Sequence, residues 1–183
     1  MSKLLILDID GTIIYADTVD EWRDTATCDF RVDVDTVCVS KRPHLVEFLR
    51  WSFDTFAVAF WSLSDKEYVD AILENVLEAD MKPLFVWYGD KCTKVKIQEG
   101  LYDTSVRYCK ELKKVWKHLK RTVPKYDETS TIIVDDTPFT YSRNYGNAVA
   151  IASFTGDIND VELLRVQRVL SRLNDTSNVR DRS

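Results

Sequence analysis

Short apolar runs alternate with helical patterns along this chain. The runs are typical of strands buried on both faces, which read as near-continuous hydrophobic stretches. The predicted strands are residues 4–9, 56–61, 84–88, 131–136 and 148–151. Because strands and helices alternate, the pattern predicts an α/β fold with a mainly parallel central sheet and helices on both of its faces.

Four segments between these runs have helical periodicity. Pro43 suits the first turn of a helix, so the apolar spacing after it predicts a helix there. Ser64 and Glu67 have the spacing of a capping box, which predicts a second helix that ends near residue 79. The other two predicted helices cover residues 108–120 and 159–173.

Three segments fit neither pattern. Within residues 13–39, alternation at 30–34 and at 37–39 predicts a small β flap. Residues 89–105 are polar and irregular, and we interpret them as a hairpin-like insertion. Residues 174–183 form a polar tail that we expect to be frayed. The pattern therefore predicts one domain over residues 1–173, with one insertion.

The composition is that of an ordinary globular protein. The chain has 183 residues, of which 45% are hydrophobic and 30% charged, so it can bury one core and is not disordered. Its net charge of −5 gives no overall attraction to nucleic acid. No stretch resembles a secretory signal or a bilayer span. We therefore expect no membrane association and a soluble intracellular protein, in the cytoplasm or nucleus.

The cysteines and histidines do not predict a zinc site. The four cysteines are scattered without a CxxC pair, and there are only two histidines. We therefore expect reduced cysteines and no structural metal. A metal that binds would need carboxylate ligands, and such ligands favour Mg²⁺.

Two of the predicted strands end in pairs of acidic residues. Asp8 and Asp10 follow the first apolar run, and Asp135 and Asp136 end the fourth. Ligands bind at the carboxyl ends of the strands of an open α/β sheet, so these carboxylates should meet there. Either pair alone would favour simple capping of a turn or helix. Both pairs together favour a divalent cation, which relieves their mutual repulsion.

The spacing of the first pair fits phosphoryl transfer. Residues two apart on a strand face the same side, so Asp8 and Asp10 can reach one substrate. Asp8 could attack phosphorus and become an aspartyl-phosphate, while Asp10 protonates the leaving oxygen and later activates water. Gly11 supplies the backbone freedom for a sharp turn after them.

Several segments resemble known phosphatase motifs. Residues 8–12 resemble the DxDx(T/V) motif of the haloacid dehalogenase-like superfamily. Residues 41–49 closely resemble the K-R-P-x-x-x-E-F-L stretch of the FCP/SCP-type phosphatases, a CTD phosphatase-like, NLI-interacting-factor-like group. Residues 62–70, 108–112 and 132–138 are similar to further motifs of that group. The resemblance extends from residue 4 to about residue 173.

This resemblance implies a Rossmann-like three-layer fold and a Mg²⁺-dependent phosphatase that forms an aspartyl-phosphate. FCP/SCP-type enzymes are protein serine phosphatases that act on the C-terminal domain of RNA polymerase II and related substrates, so the implied partner is a phosphorylated protein or peptide. The implied nucleophile is Asp8, and the implied general acid and base is Asp10. The implied phosphate ligands are Ser62, Thr12 and Lys110, of which Lys110 also supplies the balancing charge. The implied metal ligands are Asp8, Asp136 and the Asp10 main-chain carbonyl, with Asp135 as a supporting residue.

Two positions depart from the family pattern. Gly11 stands where the family usually has glutamate, although glycine is the commoner residue in the wider superfamily. The insertion often carries an arginine that helps to bind phosphate, and here that position falls on Gln98. The candidates to replace this arginine are Lys94, Lys96 and Arg107.

Two other functions stay open at this point. Gly11 and the basic residues of 110–125 also fit a phosphatase for a nucleic-acid 3′-phosphate or a small-molecule phosphate, although we predict no stable nucleic-acid partner. The other is a non-enzymatic relative that keeps the fold as a binding module. Such relatives usually lose an essential acid, whereas this chain keeps all four acids and Lys110.

Overall fold

The computed structural model describes residues 2–21, 28–33, 36–99, 103–144 and 146–181. Some predicted features lie partly outside these ranges. Residue 34 ends the predicted 30–34 strand, residues 100–102 belong to the predicted insertion, and residues 182 and 183 end the predicted tail.

A five-stranded parallel sheet forms the centre of the fold. Its strands are β1 (Leu4–Leu7), β5 (Ala57–Trp61), β6 (Val86–Trp87), β9 (Thr131–Asp135) and β10 (Ala148–Ala150). They are ordered β10-β9-β1-β5-β6, and every neighbouring pair is parallel. Each strand lies within one of the five predicted apolar runs, so the parallel sheet predicted from the sequence is confirmed.

Helices cover both faces of this sheet. They are α1 (Leu45–Thr55), α2 (Lys66–Val76), α3 (Leu112–Leu119) and α4 (Glu162–Asp175). Alternation along β1 divides the core, since successive side chains point to opposite faces. Leu5 and Leu7 pack in the cluster that contains α1, α2 and α4, whereas Leu4 and Ile6 pack against α3. The predicted layering is therefore confirmed.

The start of α2 differs from the prediction. Asp65, rather than Ser64, is the N-cap residue, and its carboxylate accepts a hydrogen bond of 2.9 Å from the Tyr68 main-chain N–H. The capping-box interpretation was therefore wrong by one residue, because Asp65 offers an equally good cap. Ser64 does not cap the helix, and its hydroxyl contacts Asp10 instead.

A three-stranded antiparallel flap follows β1. It contains β2 (Ile14–Thr18), β3 (Phe30–Val32) and β4 (Val37–Lys41), in the order β2-β4-β3. Cys28 and Cys38 form a disulfide in this flap, while Cys92 and Cys109 are buried free thiols. The expectation of four reduced cysteines was therefore wrong for one pair. Spacing alone could not reveal it, because Cys28 precedes β3 and only the folded flap brings its Cα to 5.4 Å from that of Cys38.

The predicted insertion is an antiparallel hairpin. Its strands are β7 (Thr93–Gln98) and β8 (Thr104–Cys109), and a single 3₁₀ turn at Gly89–Lys91 precedes it. The strand β8 includes Tyr108 and Cys109, which we predicted as the start of the next helix. That prediction was wrong, because α3 begins only at Leu112.

The C-terminal segment is more ordered than predicted. The helix α4 continues to Asp175, and Val179 is buried, with its N–H donating to the Thr129 carbonyl at 2.9 Å. The expectation of a frayed tail was therefore wrong for the described residues 174–181. Over the described ranges, no helix is both long enough and apolar enough to cross a bilayer.

Candidate active site

Two acidic residues leave neighbouring strands toward the same face of the sheet. Leu7 of β1 pairs with Val134 of β9, and the Asp8 N–H still donates to the Val134 carbonyl at 3.0 Å. Asp8 therefore continues the alternation of Leu4 and Ile6 and faces the α3 side. Asp135 shares its face with Ile133 in the same way. The sheet register thus brings both carboxylates together, as the sequence predicted.

Lys110 lies between these carboxylates. Its ammonium donates to Asp8 Oδ1 at 2.5 Å and to Asp135 Oδ2 at 2.7 Å. The Lys110 side chain is completely buried. Its main chain is fixed as well, because Lys110 N–H donates to the Thr140 carbonyl and the Asn144 amide donates to the Lys110 carbonyl. Lys110 can therefore balance negative charge at a defined position.

Burial alters the protonation of this cluster. Desolvation raises the pKa of Asp8 to about 8; the charge of Asp135 adds to this rise and Lys110 opposes it. Burial alone would lower the pKa of Lys110, but the charges of Asp8 and Asp135 outweigh it and raise the pKa. Lys110 therefore stays protonated, and a further cation beside Asp8 would favour the ionised carboxylate.

The two acids at the carboxyl end of β9 have different surroundings. Asp135 is completely buried, with one oxygen bound to Lys110 and the other accepting from Thr140 Oγ1 at 2.6 Å and Thr137 N–H at 2.9 Å. Asp136 is half-buried, and only its Oδ1 accepts a hydrogen bond that the structure defines, from Thr137 Oγ1 at 3.1 Å. Asp135 therefore holds Lys110 in place, whereas Asp136 lines an open cavity.

These acids can hold a hard cation. Asp8, Asp135 and Asp136 each offer an oxygen, and these oxygens lie within 4.8 Å of one another. Oxygen-only donors suit Mg²⁺ rather than zinc. Because both oxygens of Asp135 already accept hydrogen bonds, Asp8 and Asp136 are the better side-chain ligands. The donor set therefore fits the predicted metal, although the Asp10 side chain lies outside this group.

Asp10 is held by residues of the loop after β5 and the start of α2. Tyr68 Oη donates to Asp10 Oδ1 at 2.6 Å, and Ser64 Oγ donates to Asp10 Oδ2 at 3.1 Å. Ser62 Oγ lies 3.5 Å from the same oxygen. Burial and the adjacent Asp10 charge raise the pKa of Tyr68, so its hydroxyl remains a donor. Asp10 is therefore oriented from two sides at the rim of the site.

The turn after Asp10 packs closely against the metal-ligand candidate Asp136. Gly11 has a φ of 71°, and a Cβ atom there would lie 2.4 Å from Asp136 Oδ2. Only glycine fits this position without strain. Thr12 is completely buried, and its Oγ1 lies 3.5 Å from Asp8 Oδ2. In this arrangement the Thr12 side chain contacts the nucleophile candidate.

A cavity of about 400 Å³ opens above these residues. Its wall includes the predicted Asp8, Asp10, Ser62 and Asp136, and it also includes Gly11, Tyr15, Ala16, Leu63, Ser64, Thr137, Ser153, Phe154 and Thr155. Lysine and arginine are absent from this wall as far as the described residues go. The three predicted substitutes for the family arginine thus do not line it. Arg107 instead pairs with Glu99 and stacks on Phe139, and Lys94 lies over Tyr108.

A second, acidic cleft adjoins the first at Asp10 and Ser64. It has a volume of about 470 Å³ and is also lined by Asp33, Asp65, Glu67, Tyr68 and Ala71. A polyanion that occupied this cleft would meet like charges.

Sequence reasoning missed three residues that position the site. We interpreted Ser64 only as a helix cap, and we gave no role to Tyr68 or Thr140. The signal for Tyr68 was its position within residues 62–70, the segment that resembles a family motif. Thr140 carried no comparable signal, since its contact with Asp135 depends on the turn between them.

The chain is similar to known phosphatases over nearly its whole length. The family model for NLI interacting factor-like phosphatases matches residues 3–180. A CTD phosphatase-like protein of Invertebrate iridescent virus 3 is 29% identical, over 92% of this chain and 95% of the viral protein. CTD small phosphatase-like protein 2 of Dictyostelium discoideum is 28% identical, over 96% of this chain but only 28% of its own length.

Solved structures agree on the fold. The structure of Fcp1, an essential RNA polymerase II CTD phosphatase, superposes with a TM-score of 0.52 at 18% identity. The match covers 93% of this chain and 48% of the Fcp1 chain. The chain therefore corresponds to about half of that protein and to a smaller part of the Dictyostelium relative. This likeness confirms the Rossmann-like α/β fold, and the family match confirms the predicted FCP/SCP-type resemblance. The chain belongs to the NLI interacting factor-like phosphatase family, a family of phosphoric monoester hydrolases.

Proposed function

We propose that this protein is a Mg²⁺-dependent phosphatase that hydrolyses phosphoserine or phosphothreonine in proteins through an aspartyl-phosphate on Asp8. One observation carries this proposal. Asp8 borders an open cavity while its Oδ1 contacts the fully buried Lys110. A carboxylate that serves only structure needs no such cavity, whereas a nucleophile needs both access and charge compensation.

Asp8 would attack with the oxygen that Lys110 does not bind. Its Oδ2 lies 3.5 Å from Thr12 Oγ1. In the first step an Asp8 O–P bond forms and the ester P–O bond breaks, while Asp10 transfers a proton to the leaving oxygen. In the second step Asp10 takes a proton from water, the water oxygen bonds to phosphorus, and Asp8 leaves as a carboxylate. Such proton transfer contributes ~10²–10⁴ in rate.

The other predicted residues bind or neutralise phosphate in this scheme. Asp8, Asp136 and the main-chain carbonyl of Asp10 would hold Mg²⁺. When bound, Mg²⁺ reduces the negative charge on the phosphate so that an anionic nucleophile can approach. Ser62 donates to a phosphate oxygen from the cavity wall, Lys110 balances the charge on Asp8, and Thr12 keeps the loop in place. The sequence also predicted Thr12 and Lys110 as phosphate ligands, but both side chains are fully buried and neither lines the cavity. Asp135 keeps Lys110 oriented.

A protein substrate fits the surroundings of the site better than a nucleic acid. The acidic cleft beside Asp10 contains Asp33, Asp65 and Glu67. It would repel a 3′-phosphorylated oligonucleotide, whose backbone carries one charge per nucleotide. We accordingly keep a phosphorylated protein or peptide as the partner. One catalytic domain and an intracellular location also remain parts of the proposal. The domain extends beyond its predicted end at residue 173, because α4 continues to Asp175 and Val179 packs in the core.

A substrate panel tests this function. Phosphate release from phosphoserine and phosphothreonine peptides should require Mg²⁺ and should exceed release from a 3′-phosphorylated oligonucleotide. Asp8→Asn is the control, and it should abolish release. Preference for the oligonucleotide would overturn the protein substrate, and an active Asp8→Asn variant would overturn the mechanism.

A further inference from the structure

Arg42 is buried beneath the candidate site, just after β4. Its side chain is 0% exposed, and all five of its N–H groups donate hydrogen bonds. Nε and Nη2 bind the carboxylate of Asp160 at 2.8 and 2.7 Å. The remaining donors reach the main-chain carbonyls of Gly11 at 3.3 Å, Thr12 at 3.0 Å and Ala152 at 2.8 Å.

Those carbonyls belong to two loops that form walls of the active-site cavity. Gly11 and Thr12 follow Asp10 directly, and Ala152 precedes Ser153 and Phe154, which line the cavity. The loops also bind each other, because Phe154 N–H donates to the Gly11 carbonyl at 2.7 Å. The guanidinium lies 5.3 Å from the centre of the Phe154 ring. Arg42 therefore contacts both loops without lining the cavity itself.

This geometry requires a guanidinium. Its five donors form a rigid planar fork, whereas lysine has three donors on a flexible stem. A lysine at this position could not bind Asp160 and all three carbonyls together. A lysine could make at most three of these five hydrogen bonds, so the peptide groups after Asp10 would be held less firmly.

We propose that Arg42, oriented by Asp160, is a positioning residue for phosphoryl transfer, because it clamps the loop after Asp10 to the loop at Ser153 and Phe154. The inference rests on the proposed function. The clamp fixes the peptide groups next to the Asp10 carbonyl and keeps Gly11 against Asp136. A buried ion pair is seldom more stabilising than apolar residues of similar size. Stability alone therefore does not explain a buried guanidinium that contacts these two loops.

Arg42→Lys tests the clamp, with Arg165→Lys as the matched control. Arg165 also binds an acidic residue, Glu162, and a main-chain carbonyl, that of Ala150, but it does not reach the loop after Asp10. With an aryl phosphate and saturating Mg²⁺, we expect Arg42→Lys to lower kcat about tenfold or more and to change KM less than about threefold. Arg165→Lys should keep both parameters.

A spectroscopic readout separates positioning from folding. The chain has only five glycines, so ¹⁵N-glycine labelling gives a simple spectrum, in which Gly11 is assigned by its loss in Gly11→Ala. In Arg42→Lys the Gly11 signal should shift or broaden while the Gly89 signal stays in place. Asp160→Asn should move the same signal and serves as the test if Arg42→Lys does not fold.

The clamp is overturned if a folded Arg42→Lys or Asp160→Asn variant keeps the wild-type Gly11 signal, or if Arg42→Lys keeps a kcat within twofold of Arg165→Lys. The proposed function can fail separately. If the wild-type protein hydrolyses no phosphate ester, the enzymatic role is lost, while the glycine spectrum still decides whether Arg42 orders the loop.

Discussion

Lys110 illustrates what single residues reveal in this chain. It belongs to a lysine-rich segment, where propensity alone indicates a solvated side chain. Only the family resemblance assigned it to the site, and the structure places it, fully buried, between Asp8 and Asp135. The reason is non-local, because the buried position depends on how α3 packs against β1 and β9. A single sequence contains no direct signal of that packing.

Gly11 provides a test at the residue scale. In Gly11→Ala the new Cβ would lie 2.4 Å from Asp136 Oδ2, so Asp136 must move away from its present place beside Asp8, the other proposed Mg²⁺ ligand. We expect kcat to fall at least about tenfold and the Mg²⁺ concentration for half-maximal activity to rise. The positive φ adds about 1–2 kcal/mol of destabilisation. Steady-state rates in a Mg²⁺ titration measure the effect.

Gly146→Ala is the matched control for this test. Gly146 has a similar φ of 79°, and the three atoms nearest to its new Cβ all belong to Arg180, at 3.0 to 3.4 Å. The control should therefore lose stability and keep its Mg²⁺ dependence. Equal Mg²⁺ dependence in the two variants would contradict the close approach of Gly11 to Asp136.

At the scale of elements, two neighbouring residues between β5 and α2 have different roles: one stabilises the helix and the other contacts the candidate site. Ser64 and Asp65 are neighbours, but Asp65 caps α2 and Ser64 binds the Asp10 carboxylate. The sequence predicted the helix, although α2 ends at Val76 rather than near residue 79. It assigned the cap to the wrong one of two good capping residues. The choice depends on the direction in which the chain leaves β5, and local spacing does not determine it.

Two alanine variants test this division. Asp65→Ala should reduce the free energy of unfolding by about 1 kcal/mol, because the first turn of α2 loses its cap. Ser64→Ala should change stability little and lower kcat, because Asp10 loses one of its two short hydrogen bonds. Urea unfolding and steady-state rates measure both variants. If Ser64→Ala were the less stable and the more active variant, the assignment would be reversed.

At the scale of the whole molecule, the parallel sheet was the most predictable feature and the flap the least. Five apolar runs gave all five central strands, since burial on both faces leaves a strong compositional signal. The strand β2 was not predicted, and neither was the disulfide between Cys28 and Cys38. Both depend on antiparallel pairing within 14–41, which the sequence pattern indicated only in outline.

Mg²⁺ should stabilise the whole protein in a pH-dependent way. Asp8 has a pKa of about 8, above its ordinary value of 3.8, so folding favours its protonated form. The stability that this group contributes without metal is fully present below about pH 4 and is lost as the pH rises through about 8. Mg²⁺ bound at Asp8, as proposed, would compete with that proton. The increase in melting temperature caused by Mg²⁺ should therefore grow from about pH 6 to pH 8 and then level off.

Melting curves with and without Mg²⁺, recorded across this pH range, measure the effect. Asp8→Asn is the control, because it removes the titrating group, and its Mg²⁺-induced increase should be small at every pH. A wild-type increase that is independent of pH would contradict the competition between Mg²⁺ and the proton at Asp8.

The central claim is that Asp8 carries the phosphoryl group during turnover. The most direct measurement mixes the wild-type protein and Mg²⁺ with a ³²P-labelled phosphoserine peptide, stops the reaction with acid within the first turnover, and maps the label by proteolysis. We predict label on the peptide that contains Asp8, and none in Asp8→Asn. Turnover of the substrate without label at Asp8, or label that survives in Asp8→Asn, would contradict the account.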